Sequence, residues 1–177
     1  MYRILLLLFA LYAPCALAQP WLLIDTERLT LSVMEGNKVK KVYRNIAIGR
    51  GGVTEERKRG DGKTPKGVFH VVRIEKKTPF RLFFGLDYPN RAHAERAFRR
   101  GIIDRFTLRA IERALRMGRM PPADTPLGGN IGIHGLGNAD PRIHQALNWT
   151  QGCIALTNAQ IEDLSAWVRL GTRVVIR

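Results

Sequence analysis

Hydrophobic and polar positions follow a strand-like pattern over residues 21–50. Trp21 to Thr26 is a short apolar run, and Leu29, Leu31 and Val33 then alternate with polar neighbours, as residues of a half-buried strand do. Glu35-Gly36-Asn37-Lys38 predicts a hairpin turn that returns through Val39, Val42 and Tyr43, and Ile46 and Ile48 predict a further strand ending at Gly49. Residues 21–50 therefore read as a β meander. Gly49 to Gly67 is dense in glycine, contains Arg57-Lys58-Arg59 and reads as an ordered surface turn, a solvated connection. The strand pattern resumes over Val68 to Ile74.

Between residues 90 and 120 the period changes. Ala94, Ala97, Phe98 and Ile102 fall on one helical face and Leu108, Ile111 and Leu115 on another, with Gly101 and Asp104 between them. This predicts two short helices, stopped by Met120-Pro121-Pro122. The segment is rich in arginine, with Glu95, Asp104 and Glu112 as its acids. Most of that charge reads as a solvated face, although such an excursion could form one wall of a cleft. Ile131 to His134 predicts a brief strand, Pro141 to Trp149 an irregular stretch or one helical turn, and Ile154 to Leu156 another strand. Thr157-Asn158-Ala159-Gln160 is a capping box for a helix with Ile161, Leu164 and Val168 facing inward and Gly171 at its C-terminal cap. Thr172 to Ile176 predicts the final strand. The expected class is mainly β (α+β), with a short helical insertion at about 90–120.

At 177 residues and 45% hydrophobic composition the chain suits one domain with a real core, and excludes disorder and a polytopic membrane protein. Residues 1–18 form a separate unit: Arg3 gives a positive start, Ile4 to Tyr12 an apolar run, and Ala16-Leu17-Ala18 a small-x-small cleavage site. This predicts a signal peptide too short to span a bilayer, a mature chain over 19–177 with no stable membrane span, and export to the periplasm or cell wall. The formal charge of +14 owes only Arg3 to the leader. A basic exported protein favours an anionic polymer or lipid headgroups. No zinc-finger, helix-turn-helix or RNA-binding pattern accompanies the charge, so no nucleic-acid partner is expected.

The candidate chemistry lies between Ile131 and Asn158, where His134 sits in Gly-Ile-His-Gly-Leu-Gly and Cys153 in Thr-Gln-Gly-Cys-Ile-Ala-Leu. With Cys15 removed in the leader, Cys153 is the lone thiol of an exported chain, which excludes an intramolecular disulfide. A thiol becomes a competent nucleophile as the thiolate, usually with an imidazole beside it, and glycines let backbone N–H groups approach a developing oxyanion. The pattern predicts a cysteine acyltransferase. His144 is a rival for the base; His70 and His93 read as surface or strand-end residues. The histidines have no His-Glu-x-x-His spacing and Cys153 has no cysteine partner, so neither metal nor cofactor is expected. Papain-like peptidases place the cysteine before the histidine, opposite to the order here. Sortases share the order, but their threonine-leucine-x-threonine is absent.

Gly-Ile-His-Gly followed by Thr-x-Gly-Cys-Ile-x-Leu-x-Asn closely resembles the YkuD-type L,D-transpeptidases, as does the upstream Gly-Asp-Gly-Lys-Thr-Pro-Lys-Gly-Val-Phe. The resemblance implies a β-sandwich-like catalytic domain acting on peptidoglycan stem peptides. In that family a cysteine attacks the third stem residue and expels D-alanine. The acyl group then passes to an amine of another stem, an envelope lipoprotein or a free D-amino acid. By position, Cys153 would be the nucleophile, His134 the base, the Gly135 carbonyl its orienting acceptor, and the Gly152 and Cys153 N–H groups the oxyanion donors. Asn148, Trp149, Thr150, Gln151 and Ala155 would lie along the substrate. Gln151 stands where many members have a second histidine and Ala155 where many have an arginine. Some relatives with Gly-Cys-x-Ala look more like hydrolases of peptidoglycan amide bonds, so an L,D-carboxypeptidase, endopeptidase or amidase with water as acceptor is the alternative. A binding module without catalysis is the alternative of another class.

Overall fold

The computed structural model describes residues 19–177, so the expected signal peptide lies outside the described residues. Strands β1 (Trp21–Asp25), β2 (Thr30–Glu35) and β3 (Lys38–Arg44) form the expected meander, with Gly36 at φ +55° in the turn. A two-stranded parallel ladder, β4 (Val53–Thr54) with β5 (Thr64–Pro65), sits inside the stretch expected to be loop alone. Then follow β6 (Gly67–Thr78) and β7 (Arg81–Leu86), helices α1 (Arg91–Arg99) and α2 (Arg105–Arg116), and β8 (Gly132–His134). Helix α3 (Pro141–Ala146), β9 (Ile154–Ala155), α4 (Asn158–Leu164) and β10 (Arg173–Ile176) complete the chain.

The main sheet is mixed, in the order β3-β2-β1-β10-β6-β7-β8-β9. The long β6 serves both halves: residues 67–70 pair with β10, and residues 71–78 with β7. Alternation along the strands buries Leu22, Ile24, Phe69, Val71, Phe84, Ile133, Val174 and Ile176 in one core, which α4 closes with Ile161 and Leu164. This is the mostly β architecture that the pattern predicts.

Three local expectations are corrected. Residues 46–49 make isolated bridges, Ala47 with Ala155 and Gly49 with Thr150, in place of a strand. Asn45, at φ +56°, turns the chain out of β3, and Ile46, Ala47 and Ile48 are all buried, leaving no alternating face. Helix α4 is shorter than predicted: Ser165 caps it, Val168 reaches the core from beyond it, and Gly171 (φ +83°) belongs to the turn before β10. Helix α2 ends at Met117 and Gly118 (φ +61°), so a left-handed glycine stops it before the prolines do.

Helices α1 and α2 have a small core of their own, Ala94, Ala97, Ile103, Ile111 and Leu127. Asn90 and Asp104 cap them by accepting from His93 N–H and Thr107 N–H. Phe106 is left 81% exposed on α2. His93, expected at the surface, is instead buried, stacked on Phe69 and edge-on to Tyr88, because α1 lies against the start of β6. Burial lowers its pKa to about 4, with the Arg96 charge adding to the effect. In the unfolded chain His93 binds a proton near pH 6.5. Stability is therefore complete above that pH and is lost as pH falls toward 4, by about 3 kcal/mol. Unfolding midpoints between pH 7 and 4 should show this loss, and His93→Gln should flatten it.

Candidate active site

His134 ends β8, and Cys153 immediately precedes β9. The parallel register Ile133↔Ile154 and His134↔Ala155 puts Cys153 level with Gly132. Both side chains open into one cleft of about 630 Å³, whose apolar wall is Phe80, Phe83 and Trp149. The sheet thus brings together two residues that α3 and its flanking loops separate along the chain.

His134 Nδ1 lies 2.7 Å from the Gly135 carbonyl oxygen. A carbonyl only accepts, so this nitrogen carries the proton and Nε2 is left with its lone pair. Burial pushes the imidazole below its ordinary pKa, the Gly135 carbonyl raises it, and His144 lowers it again. The ring is held by Phe80, centroids 4.5 Å apart, and by the Trp149 edge at 6.0 Å. Phe80 is placed by the β6–β7 turn, whose Phe80 carbonyl accepts from Gly135 N–H at 3.1 Å.

Asn158 clamps the other side of that loop. Its Oδ1 accepts from Gly137 N–H at 2.8 Å and its Nδ2 donates to the Gly137 carbonyl at 2.9 Å. In the sequence Asn158 stands in the capping box and at the end of the cysteine motif, and neither place predicts this clamp.

Cys153 is partly exposed, and its Sγ–H points at the Asn130 carbonyl, 3.4 Å away. Burial pushes the thiol up, while the Gly132 N–H and the Arg57 charge pull it down. The loop before it is held from within: Thr150 Oγ1 donates to the Cys153 carbonyl at 2.7 Å and accepts from Gly152 N–H at 3.1 Å. That last bond corrects one expectation. The Gly152 N–H is engaged inside the loop, so it does not point freely at an oxyanion.

Arg57, expected to be solvated, is the residue that sequence reasoning missed. It is 6% exposed and donates from Nε to Lys63 O (2.9 Å), from Nη1 to Leu127 O (3.0 Å) and from Nη2 to Gln151 O (3.0 Å). Asp61 Oδ1 lies 3.7 Å from Nε, and Tyr88 packs against the guanidinium. The Gly-Asp-Gly-Lys-Thr segment forms its shelf, and the Gly51 N–H on the Gly62 carbonyl (2.9 Å) and Gly49 N–H on Thr64 Oγ1 (2.8 Å) hold that shelf. A basic run next to several glycines gave no periodicity from which burial could be read.

Among the remaining candidates, Gln151, Trp149 and Thr150 line the cleft, with Thr150 buried and committed to the loop. Asn148 and Ala155 do not line it. Asn148 Oδ1 accepts from Ile48 N–H at 3.0 Å, and Ala155 is fully buried in bridges to Ala47. His144 is buried on α3, with Trp149 Nε1 3.4 Å from its Nδ1, and opens on a different pocket. No residue of α1 or α2 lines this cleft; its wall comes instead from β6 and β7, including the paired Arg73 and Glu75. Among the described residues, no group of three His, Cys, Asp or Glu side chains could hold a metal ion, and no helix is long and apolar enough to cross a membrane.

The family model of the YkuD L,D-transpeptidase catalytic domain matches residues 19–176. Among curated proteins nothing matches significantly. Among solved structures, Bdellovibrio bacteriovorus Bd1075 is similar at 21% identity and a TM-score of 0.57, over 92% of this chain and 49% of that one. The helical cell shape determining protein Pgp2 from Campylobacter jejuni is similar at 20% identity and 0.56, over 93% and 52%. The catalytic domain of the Enterococcus faecium L,D-transpeptidase is similar at 16% identity and 0.52, over 92% and 99%. The chain spans about half the length of the first two and nearly all of the third, and at these identities the likeness is one of fold.

Proposed function

Because the chain belongs to the YkuD L,D-transpeptidase catalytic domain family, we propose that it forms a Cys153 thioester with the third residue of a peptidoglycan tetrapeptide stem and passes it to an amine. The observation that carries this reading is His134 anchored through Nδ1 on Gly135 O, with Nε2 left as base in the cleft that holds Cys153. Burial pushes the thiol up and the imidazole down, so the resting pair is neutral. The thiol proton then moves to His134 Nε2 as sulfur attacks the carbonyl carbon. The Cys153 N–H is the donor left for the oxyanion, since Thr150 occupies that of Gly152. Collapse breaks the C–N bond, and the imidazolium gives its proton to the departing D-alanine amine. The acceptor amine loses a proton to the same imidazole, attacks the thioester and releases the thiol.

Gln151 and Trp149 line the cleft beside the stem in this reading, and the acceptor is a second stem, a lipoprotein or a D-amino acid. One feature favours water instead: Ala155, where many family members carry arginine, is buried and offers no charge to hold a carboxylate. The mature protein acts in the periplasm or wall on this reading, in cell-wall organisation and cell shape. Incubation with a purified tetrapeptide muropeptide, read by mass spectrometry, decides between the two. A cross-linked dimer with D-alanine lost is the expected product. Shortened stems, without dimer even when an amine is added, would leave the hydrolase; no product in either case would leave a binding module.

A further inference from the structure

We infer that Arg57 is a positioning residue for the nucleophile: a buried cation that ties the Gln151–Cys153 loop to the Gly-Asp-Gly turn and stabilises the Cys153 thiolate. This rests on Cys153 being the nucleophile and goes beyond the pair that does the chemistry. Each of the three carbonyls that Arg57 binds belongs to a different loop, at Lys63, Leu127 and Gln151, so a single planar fork fixes their mutual placement. Gly152 packs against the same fork. A Cβ there would stand 2.5 Å from Lys63 O and 3.2 Å from Arg57 Nε, so only glycine (φ +122°) lets the loop close onto it.

A buried charge is costly unless it is paired and hydrogen-bonded, and Arg57 is both. Asp61, its partner, is itself fixed by the Lys58 and Lys63 N–H groups at 2.8 and 2.9 Å. All three donations from Arg57 end on backbone carbonyls, so its charge is not consumed as a clamp on a substrate carboxylate. Asp61, 3.7 Å from Nε, offsets part of that charge, and what remains acts on the thiol in the direction of the thiolate. Ala155 carries no charge; the cation bonded to the loop of this nucleophile, at Gln151 O, therefore comes from a loop far away in sequence.

The test is the rate of Cys153 alkylation by iodoacetamide as a function of pH, in the intact protein, with folding followed by circular dichroism. An opposite charge close to a thiol shifts its pKa by about one unit or more, and below the pKa each unit changes the thiolate fraction about tenfold. Arg57→Met should therefore alkylate about tenfold more slowly at pH 8, with its profile moved to alkaline pH. Arg57→Lys keeps the charge but loses the fork, and should shift the profile less than the neutral variants do. Should Arg57→Met fail to fold, the neutral donor Arg57→Gln carries the same expectation. A folded neutral variant with the wild-type profile would overturn the inference, as would Arg57→Lys shifting as far as the neutral variants. Alkylation needs no peptidoglycan turnover, so a protein inert on muropeptides that still shows the shift would end the functional reading and leave Arg57 in place.

Discussion

Cys153→Ala should abolish the release of D-alanine from tetrapeptide muropeptides, with a fall of more than about a thousandfold, and leave the fold intact. The size follows from the role. Without sulfur no thioester can form, and the remaining cleft supplies only binding and one oxyanion donor. The small structural cost follows from the environment. The side chain is partly exposed and makes one weak S–H···O contact, to Asn130, so its loss should change stability by no more than about 1 kcal/mol. His134→Ala should cost about a hundred- to ten-thousandfold, the usual worth of a positioned base. His144→Ala should cost much less, because that ring opens on another pocket. Release of D-alanine measured by mass spectrometry checks all three. Near wild-type turnover in the Cys153 variant would sink the acyl-enzyme mechanism.

Gly137→Ala should be the most damaging conservative change near the site. Gly137 sits at φ +61°, and a Cβ there would fall inside the van der Waals envelope of the Pro79 carbonyl oxygen. The clash is backbone against backbone, so no side-chain rotamer relieves it. Either the Asn158 clamp opens or the β6–β7 turn moves, and that turn carries the Phe80 ring that packs on His134. A loss of about 3 kcal/mol or more is expected, with a fall in turnover beyond what unfolding accounts for. Gly118 supplies the control: it has the same φ of +61° with nothing within 4 Å of the added Cβ. Gly118→Ala should cost about 1 kcal/mol, the backbone strain alone, and leave turnover unchanged. Chemical denaturation of the two variants separates strain from collision; equal effects would show that the Pro79 contact is not what matters.

Local chemistry determined much of this protein in advance. The apolar run at Trp21 to Thr26, the alternation of Leu29, Leu31 and Val33 and the turn at Glu35 to Lys38 placed β1 to β3, although β3 buries Tyr43 alone and leaves Val39 and Val42 exposed. The change to a helical period placed α1 and α2, and Thr157 with Gln160 began α4 as a capping box does. The Gly-His-Gly and Gly-Cys patterns singled out His134 and Cys153, since few combinations of residues activate a thiol. All of these are written in spacings of a few residues.

What only the tertiary structure decided depends on contacts between distant segments. Nothing near Arg57 in the chain distinguishes it from Lys58 and Arg59; its burial arises because carbonyls from three loops converge on one guanidinium. Asn148 and Ala155 lie as close to Cys153 in sequence as cleft residues do, yet their bonds to Ile48 and Ala47 turn them away from the cleft. The engaged Gly152 N–H likewise depends on where the Thr150 hydroxyl comes to rest. A strand or a cap is stabilised by neighbours along the chain and can be read there. A buried charge or a turned side chain is stabilised by partners whose approach the whole sheet sets.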